Sequence, residues 1–200
     1  MRMRVSGWMA IGLAAAGMTA AHGADASLAE RSAEADALRA QGNYKEALAV
    51  YRELLTDPGH MGPAAREDVH HAHDCLQRLR LLSELDPLLD RVVETHGENW
   101  RMLRTVAEVY AQTRHYGYLI GGAFERGHHR GGGRQVSVRH RDHVRGLQLL
   151  DRARALARAD RDDAPAEVAD FYLDFADYLI RWRGAREAWR LQTLTDLSTL

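Results

Sequence analysis

Leu28 to Leu55 decides the fold, and its centre reads Gln41-Gly42-Asn43-Tyr44-Lys45-Glu46-Ala47-Leu48-Ala49-Val50-Tyr51. An apolar helical pattern runs up to Gln41, breaks at Gly42-Asn43 and resumes at Tyr44. Two helices joined by so short a break form an αα-hairpin. A lone hairpin cannot bury its apolar face, so the stretch predicts stacked neighbours. Upstream, Ser27 is positioned to cap a helix over Leu28 to Gln41, with Glu30 near the positive end of its dipole. Ala35 and Leu38 share one face, while Ala33 and Ala37 are small enough for close helix approach. Downstream, Tyr44 to Thr56 carries Ala47, Leu48, Val50, Tyr51, Leu54 and Leu55 at three- and four-residue spacing. Asp57-Pro58-Gly59 stops it.

The totals suit such a scaffold. Of 200 residues, 28% are charged and 46% hydrophobic, which fits a folded soluble chain rather than a disordered one. Ala, Leu and Arg dominate and the β-branched residues are sparse, so the composition leans helical. A net charge of -1 argues against wholesale polyanion binding. Cys75 is the single cysteine, so no intrachain disulfide can form.

Residues 1–23 read as a secretory signal peptide. Arg2 and Arg4 supply positive charge, Val5 to Ala21 carries none, and Ala21-His22-Gly23 offers a small-residue cleavage site. The run is short and weakly apolar for a membrane span, so no stable span is expected after cleavage. Residues 24–200 are expected to form one exported helical domain in the periplasm or cell envelope.

Further along, helices are predicted over about Ala64 to Leu81, Leu82 to Thr95 with Pro87 in a first turn, and Trp100 to Thr113. Tyr116 to Phe124 is read as a short helical partner. Gly127-His128-His129-Arg130-Gly131-Gly132-Gly133-Arg134 then breaks the pattern, and a loop insertion is expected over about 125–138. A helix returns by Arg139 or Asp142 and runs to Ala159. Asp163 is a candidate cap for the next, with Pro165 in its first turn. Arg183-Gly184 breaks that helix, and Ala185 to Leu197 repeats the register of the opening hairpin: Arg186-Glu187-Ala188 falls where Lys45-Glu46-Ala47 falls.

The opening hairpin resembles a tetratricopeptide repeat. Ala35 and Ala47 stand where that family places small residues at the helix crossing, Tyr51 is the bulky residue a turn later, and Pro58 lies near the closing proline. Arg31 departs from the pattern, because the family usually has an aromatic there. The fold class expected is therefore all-α: a right-handed stack of helical hairpins carrying a Gly/Arg/His-rich loop.

Chemistry is thinly signalled. His70, His73 and Asp74 share a helix at spacings a metal could use, and His140 and His143 form a second pair. Neither matches H-E-x-x-H. A metal-dependent, hydrolase-like protein is the alternative class. Cys75 reads as a buried packing residue, and no nucleophile elbow or carboxylate pair appears. No catalytic residue and no cofactor are expected. Arg126 to Arg145 holds six arginines and four histidines against one acid, Asp142. It contains no stacking aromatic, so a nucleic-acid partner is not expected. Arg126, His128, His129, Arg130, Arg134 and Arg141 are the candidate interaction residues, suited to a carboxylate-bearing protein surface.

Several longer blocks resemble the N-terminal helical region of bacterial alpha-2-macroglobulin-like proteins. They are His96-Gly97-Glu98-Asn99-Trp100-Arg101, Phe124 to Arg134, Arg141-Asp142-His143-Val144-Arg145-Gly146-Leu147-Gln148-Leu149 and Glu187 to Leu197. The resemblance spans about Ala33 to the end. It implies an exported, non-enzymatic scaffold whose partner is a protein or the downstream macroglobulin domains of that protease-inhibitor-type family. Cys75-Leu76-Gln77-Arg78 departs from the family's Cys-x-Glu-Gln thioester, so no trapping residue carries over. Leu191, Leu194 and Leu197 stand near the end without a polar-faced cap. A partner surface, a longer or split gene product, or a fragment without independent function are the expectations that follow.

Overall fold

A computed structural model of the chain describes residues 15–160 and 165–180, with side-chain surroundings from Ser27 onward. It is mostly helical and carries one small sheet. The helices are α1 (Ala15–Ala40), α2 (Tyr44–Leu55), α3 (Pro63–Arg78), α4 (Leu85–His96), α5 (Trp100–Gln112), α6 (Arg139–Ala159) and α7 (Pro165–Ile180). A 3-10 turn, Leu82–Glu84, precedes α4. The expected Asp163 cap and the Ala185 to Leu197 helix lie outside the described residues, as do residues 1–14 of the expected signal segment. Among the described residues no helix is long and apolar enough to cross a membrane.

The opening hairpin forms as its spacing predicts. α1 and α2 meet across Ala35 and Ala47, both fully buried, and Tyr51 fills the space beneath them. Ala33 and Ala37 face solvent instead, and the buried small residues of α1 are Ser32 and Ala35. Ser27 does not cap, because it lies inside α1, which is already helical from Ala15 and runs through Gly17 and Gly23. Arg31, at the position where an aromatic was missing, forms an ion pair with Glu53.

Helix packing then proceeds by neighbours. α1 lies on α2 and α3, α2 on α3 and α4, α3 on α5, α4 on α5, α5 on α6, and α6 on α7. One contiguous core runs through them, from Tyr51 and Leu55 through Leu76, Leu85, Leu103 and Tyr110 to Leu147 and Phe171. Pro87 sits in the first turn of α4, where its missing N–H costs nothing. Asn99 caps α5 by accepting from the backbone N–H of Arg101 and Met102.

The expectation of an all-α chain is corrected between α5 and α6. Tyr116 to Phe124 is not a helix. It contains β1 (Tyr116–Ile120) and the start of β2 (Ala123–Arg126), and β3 (Arg134–Ser137) follows. The three strands are antiparallel in the order β2-β1-β3. Gly121 (φ 56°) and Gly122 (φ 86°) form the two-residue turn between Ile120 and Ala123. Positive φ at both positions is the geometry whose twist matches a β-hairpin, and two glycines adopt it without steric cost. The expected loop over 125–138 thus shrinks to Gly127–Gly133, with strand on either side.

α7 meets α5 through Trp100–Phe171 and Arg101–Glu167, and it approaches α6 closely at Tyr178. The Tyr178 ring stacks on His143, with centroids 5.2 Å apart and planes within 2°. A Cβ at Gly146 would lie 1.8 Å from Tyr178 Oη. Gly146→Ala should therefore push Tyr178 out, and overpacking of this kind costs about 1–3 kcal/mol. The alanine returns roughly 0.5–1 kcal/mol of helix propensity. The net expectation is a lower urea midpoint with an altered near-UV tyrosine signal; an unchanged midpoint would mean that α7 yields freely.

Candidate functional site

The sheet is anchored by one side chain. Arg126 ends β2 and points inward, and only 2% of its surface is exposed. A guanidinium carries five N–H donors, and here each finds an acceptor. Nε donates to Asp86 Oδ2 at 3.1 Å and Nη2 to Asp86 Oδ1 at 2.8 Å, forming one fork with the first turn of α4. Nη1 and Nη2 donate to Asp142 Oδ2 and Oδ1 at 2.7 and 2.8 Å, forming a second fork with α6. The remaining Nη1 hydrogen goes to the Arg114 carbonyl at 2.8 Å. One residue thereby joins the sheet to α4, to α6 and to the segment just beyond α5.

Asp142 is wholly buried. Burial alone would push its carboxyl up, but the hydrogen bonds from Arg126 and His115 outweigh it and hold the pKa below the ordinary carboxylate value. His115 Nδ1 lies 2.9 Å from Asp142 Oδ2. For Arg126, burial opposes the charge, and Asp142 and Asp86 together overcome it, so the guanidinium stays firmly charged. Arg141 closes the junction from outside: Nη2 lies 3.1 Å from Asp86 Oδ1 and 3.0 Å from Asp142 Oδ1. Its guanidinium also sits 4.5 Å over the Phe124 ring. An open groove of about 520 Å³ runs beside this junction, between α4, α5 and α6, walled by Asp86, Asp90, Tyr110, His140, Arg141 and Arg145.

The six candidate interaction residues divide into two groups. Arg126 is internal and cannot meet a partner, which corrects its place among the contact residues. Arg141 is partly spent on Asp86 and Asp142. His128, Arg130 and Arg134 are exposed on the turn and strand beyond. His129 is held between, with Nδ1 3.2 Å from Glu125 Oε2 and its ring 6.1 Å from that of Tyr118. The single acid of the basic stretch, Asp142, is thus the counter-charge of its first arginine.

His70, His73 and Asp74 do not converge. His70 Nε2 lies 3.6 Å from Glu108, and Asp74 pairs with Arg78 at 2.8 Å. His73 is buried, with Nε2 within hydrogen-bond distance of Thr113 Oγ1 and Gln77 Nε2. Burial first, then the charges of His70 and Arg126, lower its pKa to about 4. Cys75 is fully buried, and burial pushes its thiol up to about 11, as a packing cysteine requires. Reading from the residues missed Asp86 and His115, because they lie 40 and 27 positions from their partners and no local pattern joins them.

Comparison with protein-family models, with curated proteins and with solved structures returns no match for this chain.

Proposed function

We propose that this chain is an exported, non-enzymatic helical-repeat scaffold that presents a rigid basic β-tip to a protein partner. The observation that carries the reading is the complete pairing of Arg126. It fixes the insertion to α4, α6 and the segment just beyond α5, while His128, Arg130 and Arg134 remain exposed in the stretch that follows it. Preorganised groups of this kind bind with less ordering cost than a free loop would. The tetratricopeptide-type arrangement is supported by the successive packing of α1, α3 and α5, and by the buried Ala35, Ala47 and Tyr51.

The partner that fits is an acidic protein surface, in line with the resemblance to alpha-2-macroglobulin-like proteins, where it would be a β-domain beyond the helical region. Export rests on the charged, then apolar, then small-residue pattern of residues 1–23. Pull-down from a cell-envelope extract tests the reading. A partner retained by the natural protein should be lost with Arg130→Ala/Arg134→Ala at low salt and weakened by raised salt. Retention of the same partners by the double variant removes the β-tip from the interface.

A further inference from the structure

A separate polar cluster lies where α1, α2 and α3 meet. Asp36 comes from α1, and Asp68 and His71 come from one face of α3. One ligand atom from each falls within 4.8 Å of the other two. Asp68 is 1% exposed, and its oxygens are held in place: Ser32 Oγ donates to Oδ1 at 3.0 Å, and His60 Nε2 lies 2.7 Å from Oδ2. Asp36 Oδ1 accepts from the Tyr51 hydroxyl at 2.7 Å. Arg39 stands further off, with Nε 3.9 Å from the same oxygen.

The contact between His71 and Asp36 is the one that hydrogen bonding leaves unexplained. His71 Nδ1 is 2.8 Å from Asp36 Oδ1. That nitrogen is shielded from solvent and has no hydrogen-bond partner, because the carboxylate is off the N–H direction. Hydrogen bonding therefore does not account for the contact, and a cation set to one side of it, along the in-plane direction of Nδ1, would serve both atoms. Two ligand atoms 2.8 Å apart subtend about 84° at an ion roughly 2.1 Å from each. The angle suits octahedral coordination, whereas a tetrahedral pair would stand about 3.4 Å apart.

We propose that Asp36, Asp68 and His71 bind a divalent first-row transition metal, with water in the remaining positions. Two carboxylates and an imidazole give a mixed oxygen and nitrogen set; the near-right angle favours Mn²⁺, while Zn²⁺, though usually tetrahedral, binds such ligands more tightly. Ser32, His60 and Tyr51 form the outer layer that orients the carboxylates, as such sites require. Ser32 and His60 both bind Asp68 and not each other, so the group lacks the Ser-to-His hydrogen bond a nucleophile needs. The ion would tie α1 to α3 across the opening hairpin.

The test is equilibrium dialysis of the purified full chain against Zn²⁺ and, separately, Mn²⁺, followed by elemental analysis and thermal unfolding. About one equivalent of either ion should be retained, with a raised Tm at saturating metal. Asp36→Asn and His71→Ala should abolish retention and the metal-dependent rise in Tm. His60→Gln should weaken binding by about 10- to 100-fold, and His70→Ala, one residue away, should leave it unchanged. Asp36 and His71 are partly exposed, so these variants keep the core, and circular dichroism checks that they fold. Retention below about a tenth of an equivalent by the natural chain overturns the proposal. Retention that survives both Asp36→Asn and His71→Ala does so as well, because the ion then sits elsewhere. Neither result bears on the β-tip, which is read by the pull-down alone.

Discussion

Arg126→Ala will destabilise the protein by about 3–5 kcal/mol, the usual cost of removing one partner from a buried ion pair. The loss falls on Asp142, which is fully buried and would keep His115 and Arg141 as its side-chain partners. At roughly 2–4 °C per kcal/mol for a chain of this size, Tm should drop by about 6–20 °C. Arg126→Lys should recover only part of this, because an ammonium cannot fill two forks at once. Arg130→Ala is the contrast: Arg130 is exposed and should change stability by no more than about 0.5 kcal/mol. Thermal unfolding measures both. Limited trypsin digestion adds a local readout, since loosening the sheet should accelerate cleavage at Arg130 and Arg134. Equal Tm values for the two variants would remove Arg126 from its anchoring role.

Acid should weaken the fold through two buried histidines, in a window that opens below about pH 6.5. Burial first, with the charges of His70 and Arg126, lowers the His73 pKa to about 4. Burial first, with His140 and His115, lowers that of His143 to about 4 as well. In the unfolded chain both titrate near 6.5. Above that value they are neutral in both states and contribute no pH dependence. Below it the unfolded chain binds protons that the folded chain refuses, so stability falls with pH until the folded forms protonate near 4. Each unit is worth up to about 1.4 kcal/mol per residue. Partial solvent access reduces this to about 2 kcal/mol each between pH ~6.5 and ~4.5.

Asp142 acts lower down. Its depressed pKa contributes stability that is present above the ordinary carboxylate value and lost as pH falls through the folded value. His143→Phe keeps a ring against Tyr178 without a titrating nitrogen, and His73→Gln keeps a polar partner for Thr113. Urea midpoints across this pH range should fall steeply for the natural chain and more gently for the double variant. Parallel slopes would place the acid sensitivity in other groups.

What could be read in advance was what local sequence carries. The α2 to α6 boundaries follow from apolar spacing and from punctuation at Gly42-Asn43, Asp57-Pro58-Gly59 and Asn99, each of which acts within one turn of chain. The sheet had a local signal as well. Gly121-Gly122 between Tyr116-Gly117-Tyr118-Leu119-Ile120 and Ala123-Phe124-Glu125-Arg126 is a hairpin sign. It was masked because a five-residue apolar run suits a helix or a strand equally well. The basic stretch was visible as charge, but charge alone does not say which arginines face out.

By itself, then, the sequence determined a chain of amphipathic helices with an interruption rich in Gly, Arg and His, because helical period and backbone breakers are properties of neighbours along the chain. Only the tertiary structure decided that Arg126 belongs inside and Arg130 and Arg134 outside. A guanidinium tolerates burial only where acceptors meet all its donors. Those acceptors, Asp86 on α4, Asp142 on α6 and the Arg114 carbonyl just beyond α5, are gathered by the packing of the core. The same packing separates His70, His73 and Asp74, which are near in sequence, and brings Asp36 to Asp68 and His71, which no spacing along the chain announces.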